Sequence, residues 1–343
     1  MTRTTAPRPV EIAAVIPALA SLARTATRLH PRPGAPSCFD SSVGGPLLWP
    51  AGEPWPHCHD SHSGEVMSLK QARSTQQDQD SVCDEAALSE DDYQWQDTPE
   101  DRARFQQLYD PDPVLPDGPV AMLPVAQLFV RDVPGLRPPG GKDLLQVLWC
   151  PFDHDDEFIP RTVLHWRSAA SVTDILDDPP EPAVVQDGLG QFVPEPCTIA
   201  PEQVIEYPTI TELDEDLQEQ LRQWEAGYLG IDVEDLGEVE SPYQSDLSVA
   251  PGWKVGGWIG WSRSDAYPEP CPACGTPTEP LLTIASWEWD GAQHSWVPYE
   301  DRPADMVVGG NGCPTKINIG DAWDLTIRAC PTSPDHPHVP LTQ

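Results

Sequence analysis

Cys271-Pro272-Ala273-Cys274-Gly275 carries the sharpest chemical signature in the chain. Two thiolates two residues apart, in a turn closed by glycine, can face one tetrahedral zinc ion. A structural zinc needs two further ligands. Cys330, followed by His336 or His338, supplies the candidates, and the expected set is Cys271, Cys274, Cys330 and His336. The plainer alternative is a turn beside a buried Cys330 that acts as a small apolar side chain. A redox pair is a further alternative, but no thioredoxin-like βαβ context flanks the motif.

A second concentration of soft and imidazole ligands comes earlier. It comprises His57-Cys58-His59, His62, Cys150 and His154. The second candidate metal set is Cys58, His59, Cys150 and His154, against the alternative of a surface histidine cluster in a Pro/Trp-rich turn. Trp49, Trp55, Trp258, Trp261 and Trp287 crowd around two Gly-Gly turns. Such aromatics can line a partner-binding groove, or supply core area that a loop-rich domain otherwise lacks. Gly44-Gly45 and Gly256-Gly257 have no following Lys-Ser/Thr, so they read as turns rather than phosphate cradles. Asp153, Asp155, Asp156 and Glu157 around His154 read as a solvated turn rather than a cation site. Neither Gly-x-Ser-x-Gly nor His-Glu-x-x-His occurs. With no catalytic set in view, a non-enzymatic chain is the expectation.

The elements that must position these residues recur in the two halves. Val43-Gly44-Gly45 is followed by Trp49 and Cys58, and Val255-Gly256-Gly257 by Trp261 and Cys271. The strand-like run Met122–Gln127 corresponds to Leu281–Ser286. A second run ends in Cys-Pro in each half, at Cys150-Pro151 and Cys330-Pro331, with Asp153-His154 and Asp335-His336 beyond. Five landmarks in one order predict an internal duplication. The apolar runs span five to seven residues and stop at Pro or Gly, without a βαβ rhythm. The expected class is α+β with mostly antiparallel sheet, short helices and acidic insertions.

Composition narrows the function classes. The 343 residues hold 55 Asp/Glu against 20 Lys/Arg, a formal charge of -35. That disfavours nucleic acid and anionic lipid as partners and favours a basic one. Pro and Gly are abundant, at 42 and 24, but the 13 tryptophans require packed surroundings. No apolar run approaches the roughly 20 residues of a membrane span. Val10–Leu22 is interrupted by Glu11 and Pro17 and reads as an amphipathic helix rather than a signal peptide. Nine cysteines on so long a chain do not resemble a secreted disulfide framework, so reduced thiols and a cytoplasmic location are expected.

The chain is expected to divide into four parts: a helical arm over 1–36, a first repeat over 37–160, an acidic linker region over 161–250 and a second repeat over 251–343. The first repeat carries an acidic insertion at about 60–118, with a helix predicted over Thr98–Leu108. Arg161–Trp166 alternates like a short strand, and Asp177–Pro194 reads as loop. Leu213, Leu217, Leu221 and Trp224 predict a helix over 211–226 with Thr211 as its cap.

Lys254-Val255-Gly256-Gly257-Trp258, then Cys271-Pro272-Ala273-Cys274-Gly275 and Pro280–Ala285, resembles the YwqG-like family, bacterial proteins of largely unknown function. Val43-Gly44-Gly45-Pro46, Trp55-Pro56 and Leu123–Leu128 fit the same pattern in the first half. The order is also similar to eukaryotic programmed-cell-death protein 2, which acts as a chaperone for a ribosomal protein. This chain lacks the denser zinc-finger cluster found there. The resemblance covers roughly 43–58, 119–154 and 250–336, and implies a duplicated α+β fold without an established activity. The resulting expectation is a zinc-containing binding protein, chaperone-like towards a basic or extended protein segment. The alternatives are a metal-dependent enzyme using the first His/Cys cluster, and an acidic inhibitor or immunity-type protein.

Overall fold

The computed structural model describes residues 2–78, 113–154, 159–187, 191–289, 293–302 and 312–343. Two six-stranded sheets dominate, and their strand pairs are antiparallel. Strands are numbered in chain order. One sheet runs β2 (Arg32–Pro33), β11 (Cys197–Thr198), β3 (Ser42–Val43), β7 (Leu123–Phe129), β8 (Leu144–Asp153), β9 (Pro160–Arg167). The other runs β12 (Glu202–Glu206), β1 (Arg24–Arg28), β13 (Lys254–Gly256), β14 (Glu279–Ala285), β15 (Asp324–Ala329), β16 (Val339–Thr342). Two short ribbons accompany them: β4 (His57–Cys58) with β6 (Val120–Ala121), and β5 (Val66–Ser68) with β10 (Val184–Gln186). The mixed α+β class and its mostly antiparallel sheets agree with the sequence reading.

A single apolar cluster joins the sheets. Val125, Val147 and Trp149 belong to it on one side, and Val255, Leu282, Ile284 and Ile327 on the other. Nine consecutive residues of β8, Leu144–Phe152, are buried. A strand covered on both faces reads as a near-continuous apolar run, which explains Leu144–Trp149, interrupted only by Gln146, whose buried amide is hydrogen-bonded to Leu48 and Gln127. Both β7 and β14 carry a register shift just after a proline, at Pro124 and Pro280. Proline has no N–H for the ladder and is tolerated at such bulges.

Residues 1–36 are not a purely helical arm. A four-residue helix α1 (Ile12–Val15) and a 3-10 turn over Pro17–Leu22 lead into β1, which lies inside the second sheet between β12 and β13. Glu11 and Pro17 limit the helix to one turn. The 161–250 region likewise contributes β12 to that sheet, and 177–194 contains β10. Helix α2 (Leu69–Asp78) follows β5. The predicted helix over 98–108 lies outside the described residues.

Helix α3 (Glu215–Leu229) forms where the leucine spacing predicts it. Its cap is Asp214, whose side chain accepts from the Leu217 N–H, and Gly230 ends it with φ 72°. Thr211 instead lies in a 3-10 turn that Thr209 and Glu212 close as a capping box. No helix among the described residues is long and apolar enough to cross a membrane.

The Lys-Val-Gly-Gly motif has a packing explanation. Lys254 is buried, with Nζ 2.7 Å from Glu206 Oε1 and 2.8 Å from the Trp258 carbonyl. Glu206 also accepts from the N–H groups of Ala250 and Trp258. Gly257 has φ 77°, and a Cβ there would overlap the Glu206 carboxylate. The turn therefore needs glycine for both dihedral and space.

Candidate metal centres

The knuckle Cys271–Gly275 is built by backbone hydrogen bonds. The Gly275 N–H donates to the Cys271 carbonyl at 2.8 Å, and the Cys271 N–H to Thr276 at 2.8 Å. Gly275 has φ 74°, which turns the chain back towards Cys271. Cys330 arrives at the end of β15, and His336 from the loop beyond it. His336 Nδ1 lies 3.5 Å from Cys271 Sγ and 3.3 Å from Cys330 Sγ, and Cys274 Sγ lies 3.5 Å from Cys330 Sγ.

The other group brings Cys58 of β4 and Cys150 of β8 against His62 and His154. His62 Nε2 lies 3.2 Å from Cys150 Sγ, and His154 Nε2 lies 3.6 Å from Cys58 Sγ. Phe152 packs on the His62 ring at 4.6 Å. Behind His154, its Nδ1 faces Asp60 Oδ2 at 3.6 Å, and Arg161 holds that carboxylate through Nε and Nη2 at 2.9 and 2.8 Å. A carboxylate behind a histidine is the usual device for orienting an imidazole ligand.

The donor atoms in each group of four lie within 4.8 Å of one another. Zinc bonds of about 2.3 Å to sulfur and 2.0–2.1 Å to nitrogen separate tetrahedral ligand atoms by roughly 3.3–3.8 Å. Both donor sets fit that geometry and that ligand chemistry, and a bound ion would act as a four-point cross-link. Burial lowers the His62 and His154 pKa values and so favours the neutral imidazole that a metal needs. Burial opposes ionisation of Cys330, but the N–H groups of Ser333 and Thr332 and the neighbouring Cys274 and Cys271 bring its thiol down to about 7. Burial and the adjacent Cys58 push Cys150 up.

The structure brings together all of Cys271, Cys274, Cys330 and His336. His338 lies apart, its Nε2 at 2.7 Å from Thr162 Oγ1. In the first set, Cys58, Cys150 and His154 converge, but the fourth member is His62 and not His59. His59 is exposed. It directly follows Cys58 in extended backbone, where neighbours point to opposite sides. The spacing Cys58 to His62 carries the usable signal, since four residues let the chain turn back. Asp60 and Arg161 gave no sequence signal, because each looks like any exposed charge until the fold pairs them.

The aromatic expectation needs correction. Trp49, Trp55 and Trp261 are buried and supply core. Trp258 is half-buried beneath the Arg24 guanidinium, 3.5 Å from its ring. Trp287 alone of the five is exposed, at 38%. Among the described residues, seven cysteines are free thiols and Cys313 is disulfide-bonded.

In comparisons with known proteins, no family model and no curated sequence matches this chain.

Proposed function

We propose that the chain is a non-enzymatic binding protein, a cytoplasmic, internally duplicated member of the YwqG-like family, in which two zinc ions act as structural cross-links. One observation carries this reading: each Cys/His group offers four protein ligands. A four-ligand set leaves no position for water or substrate, whereas catalytic zinc keeps one open. That counts against the metal-dependent enzyme. The observation supports zinc chosen for its thiolate and imidazole preference.

Ladder register supports the duplication. Val43 pairs with Ala126, which pairs with Val147, and Val255 pairs with Leu282, which pairs with Ile327. Three residues beyond Val147 and Ile327 stand Cys150 and Cys330. Each metal group thus draws one ligand from the equivalent point of a β-ribbon. This register sets Ala126 against Leu282, three positions from the alignment that the strand sequences alone suggest.

For the partner, the -35 charge supports a basic or extended protein segment, handled in a chaperone-like manner. Nucleic acid and membrane are not proposed as partners. The test is elemental analysis of purified, untagged protein beside Cys274→Ser and Cys150→Ser. About two zinc per chain in the parent and about one in each variant supports the reading. A site that retains zinc and accepts an exogenous ligand, such as azide on a cobalt-substituted sample, would restore the enzyme. No zinc in the parent overturns the metal part.

A further inference from the structure

A cleft of about 1650 Å³ lies between β9 and the loop that carries His336. Small-molecule sites usually enclose roughly 300–1,000 Å³, so this one is sized for a longer occupant. Five consecutive residues of β9, Thr162–Trp166, line it. Successive side chains of a strand point to opposite faces. A cleft touching all five therefore meets the strand at its edge. β9 ends its sheet and pairs only with β8, so that edge offers main-chain donors and acceptors to an added strand. Seven prolines line the cleft elsewhere. Proline brings no N–H, so those walls are stiff and poor in main-chain donors.

The charge of the cleft runs against that of the molecule. Its lining holds Arg24, Arg137 and Lys142 against Glu279 and Asp335, three cations to two acids, where the whole chain has 20 to 55. Arg137 and Lys142 are exposed, and neither has a carboxylate partner among the described residues. Local cationic groups within an anionic surface select a ligand that places its carboxylates at these points and nowhere else.

We infer that this cleft binds an extended peptide segment bearing carboxylates, added as a strand to the edge of β9 and held by Arg137 and Lys142. The inference rests on the reading of the chain as a binding protein and assigns it a second surface of opposite charge preference.

Fluorescence anisotropy with labelled peptides of about ten residues, roughly 33 Å when extended, tests it on the full chain. The probes are an alternating Glu/Val peptide, its Lys/Val counterpart, the Glu/Val peptide N-methylated at alternate residues, and an oligothymidine of similar length. The Glu/Val peptide is expected to bind, to lose at least tenfold in affinity on N-methylation, and to lose at least tenfold with the exposed double substitution Arg137→Glu, Lys142→Glu. Undiminished binding after N-methylation overturns strand addition. Undiminished binding to the double variant overturns the assigned cations. Oligothymidine competing for the same site more tightly overturns the peptide as occupant. If only the Lys/Val peptide binds, equally to both proteins, the cleft proposal fails and the acidic-surface reading stands. If no peptide binds, both fail.

Discussion

Thr162 Oγ1 and His338 Nε2 stand 2.7 Å apart, joining the edge strand of one sheet to the ligand-bearing loop of the other. Their neighbours make the contact a bridge between the two candidate metal groups. Arg161, next to Thr162, holds Asp60 behind His154, and His336 lies two residues before His338. The loop over 330–338 is therefore fixed at three points: Cys330, His336 and His338.

His62, rather than His59, completes the first candidate metal group, which is proposed to hold zinc. His62→Ala should cost one equivalent of zinc and lower the melting temperature, while His59→Ala should change neither. Paired elemental analysis and thermal scans distinguish them, and zinc loss in His59→Ala alone would reverse the assignment.

The Lys254–Glu206 pair is buried and hydrogen-bonded on both sides. Removing one partner strands the other charge, a cost of about 3–5 kcal/mol. Lys254→Met should destabilise by that amount in urea titrations. Gly257→Ala should also destabilise, since a Cβ meets Glu206 at φ 77°. A loss below about 1 kcal/mol in Lys254→Met would mean that Glu206 is satisfied without the lysine.

Acidification should weaken the fold in two stages. Burial lowers His338, and burial together with Arg167 lowers His165, from the ordinary 6.5. The folded state thus holds them neutral while the unfolded chain takes up protons, and stability falls as pH drops below about 6.5. Burial would raise Glu202 and Glu288, but His30 beside both holds them below the ordinary 4.5, and Arg167 does the same for Glu53. Their contribution is present above about 4.5 and is lost as pH falls through the lowered values. Urea midpoints between pH 7.5 and 3.5 should show both declines, and His338→Gln should reduce the first. A flat profile from pH 7 to 5 would remove the histidine part.

Asp214 caps α3 through the Leu217 N–H at 2.9 Å. Asp214→Ala should cost about 1 kcal/mol. Chemical denaturation of Asp214→Ala beside Thr211→Ala checks the cap, because the threonine change should be nearly neutral. Equal losses in the two variants would contradict the assignment.

Legibility in the sequence tracked locality. The α3 leucines, the strands 123–129, 144–153 and 279–285, and the Cys271–Cys274 knuckle announce themselves through neighbours a few residues away. His336 is the expected fourth member with His338 as the other candidate, and the fold groups His336 with the three cysteines. What escaped was set by distant partners: β1 and β12 are short, mixed sequences, β1 placed by its pairing with β13 and β12 by its pairing with β1. Asp60 has meaning only beside His154, and Trp49 and Trp261 look alike in sequence whether they face solvent or core.

Burying β1 inside the second sheet has a consequence for the order of assembly. Ala26 pairs with Gly256, about 230 residues away, and with Val204 on its other side. Loop-closure entropy grows slowly with such separation, yet these contacts still form late, because their partner must first exist. During synthesis the Arg24–Arg28 segment leaves the ribosome about 180 residues before Val204 and about 230 before Gly256, the residues that flank it. The nascent chain thus carries β1 as an unmatched strand until both flanking segments have been made. A fragment beginning at residue 251 would lack both strands that continue its sheet past β13.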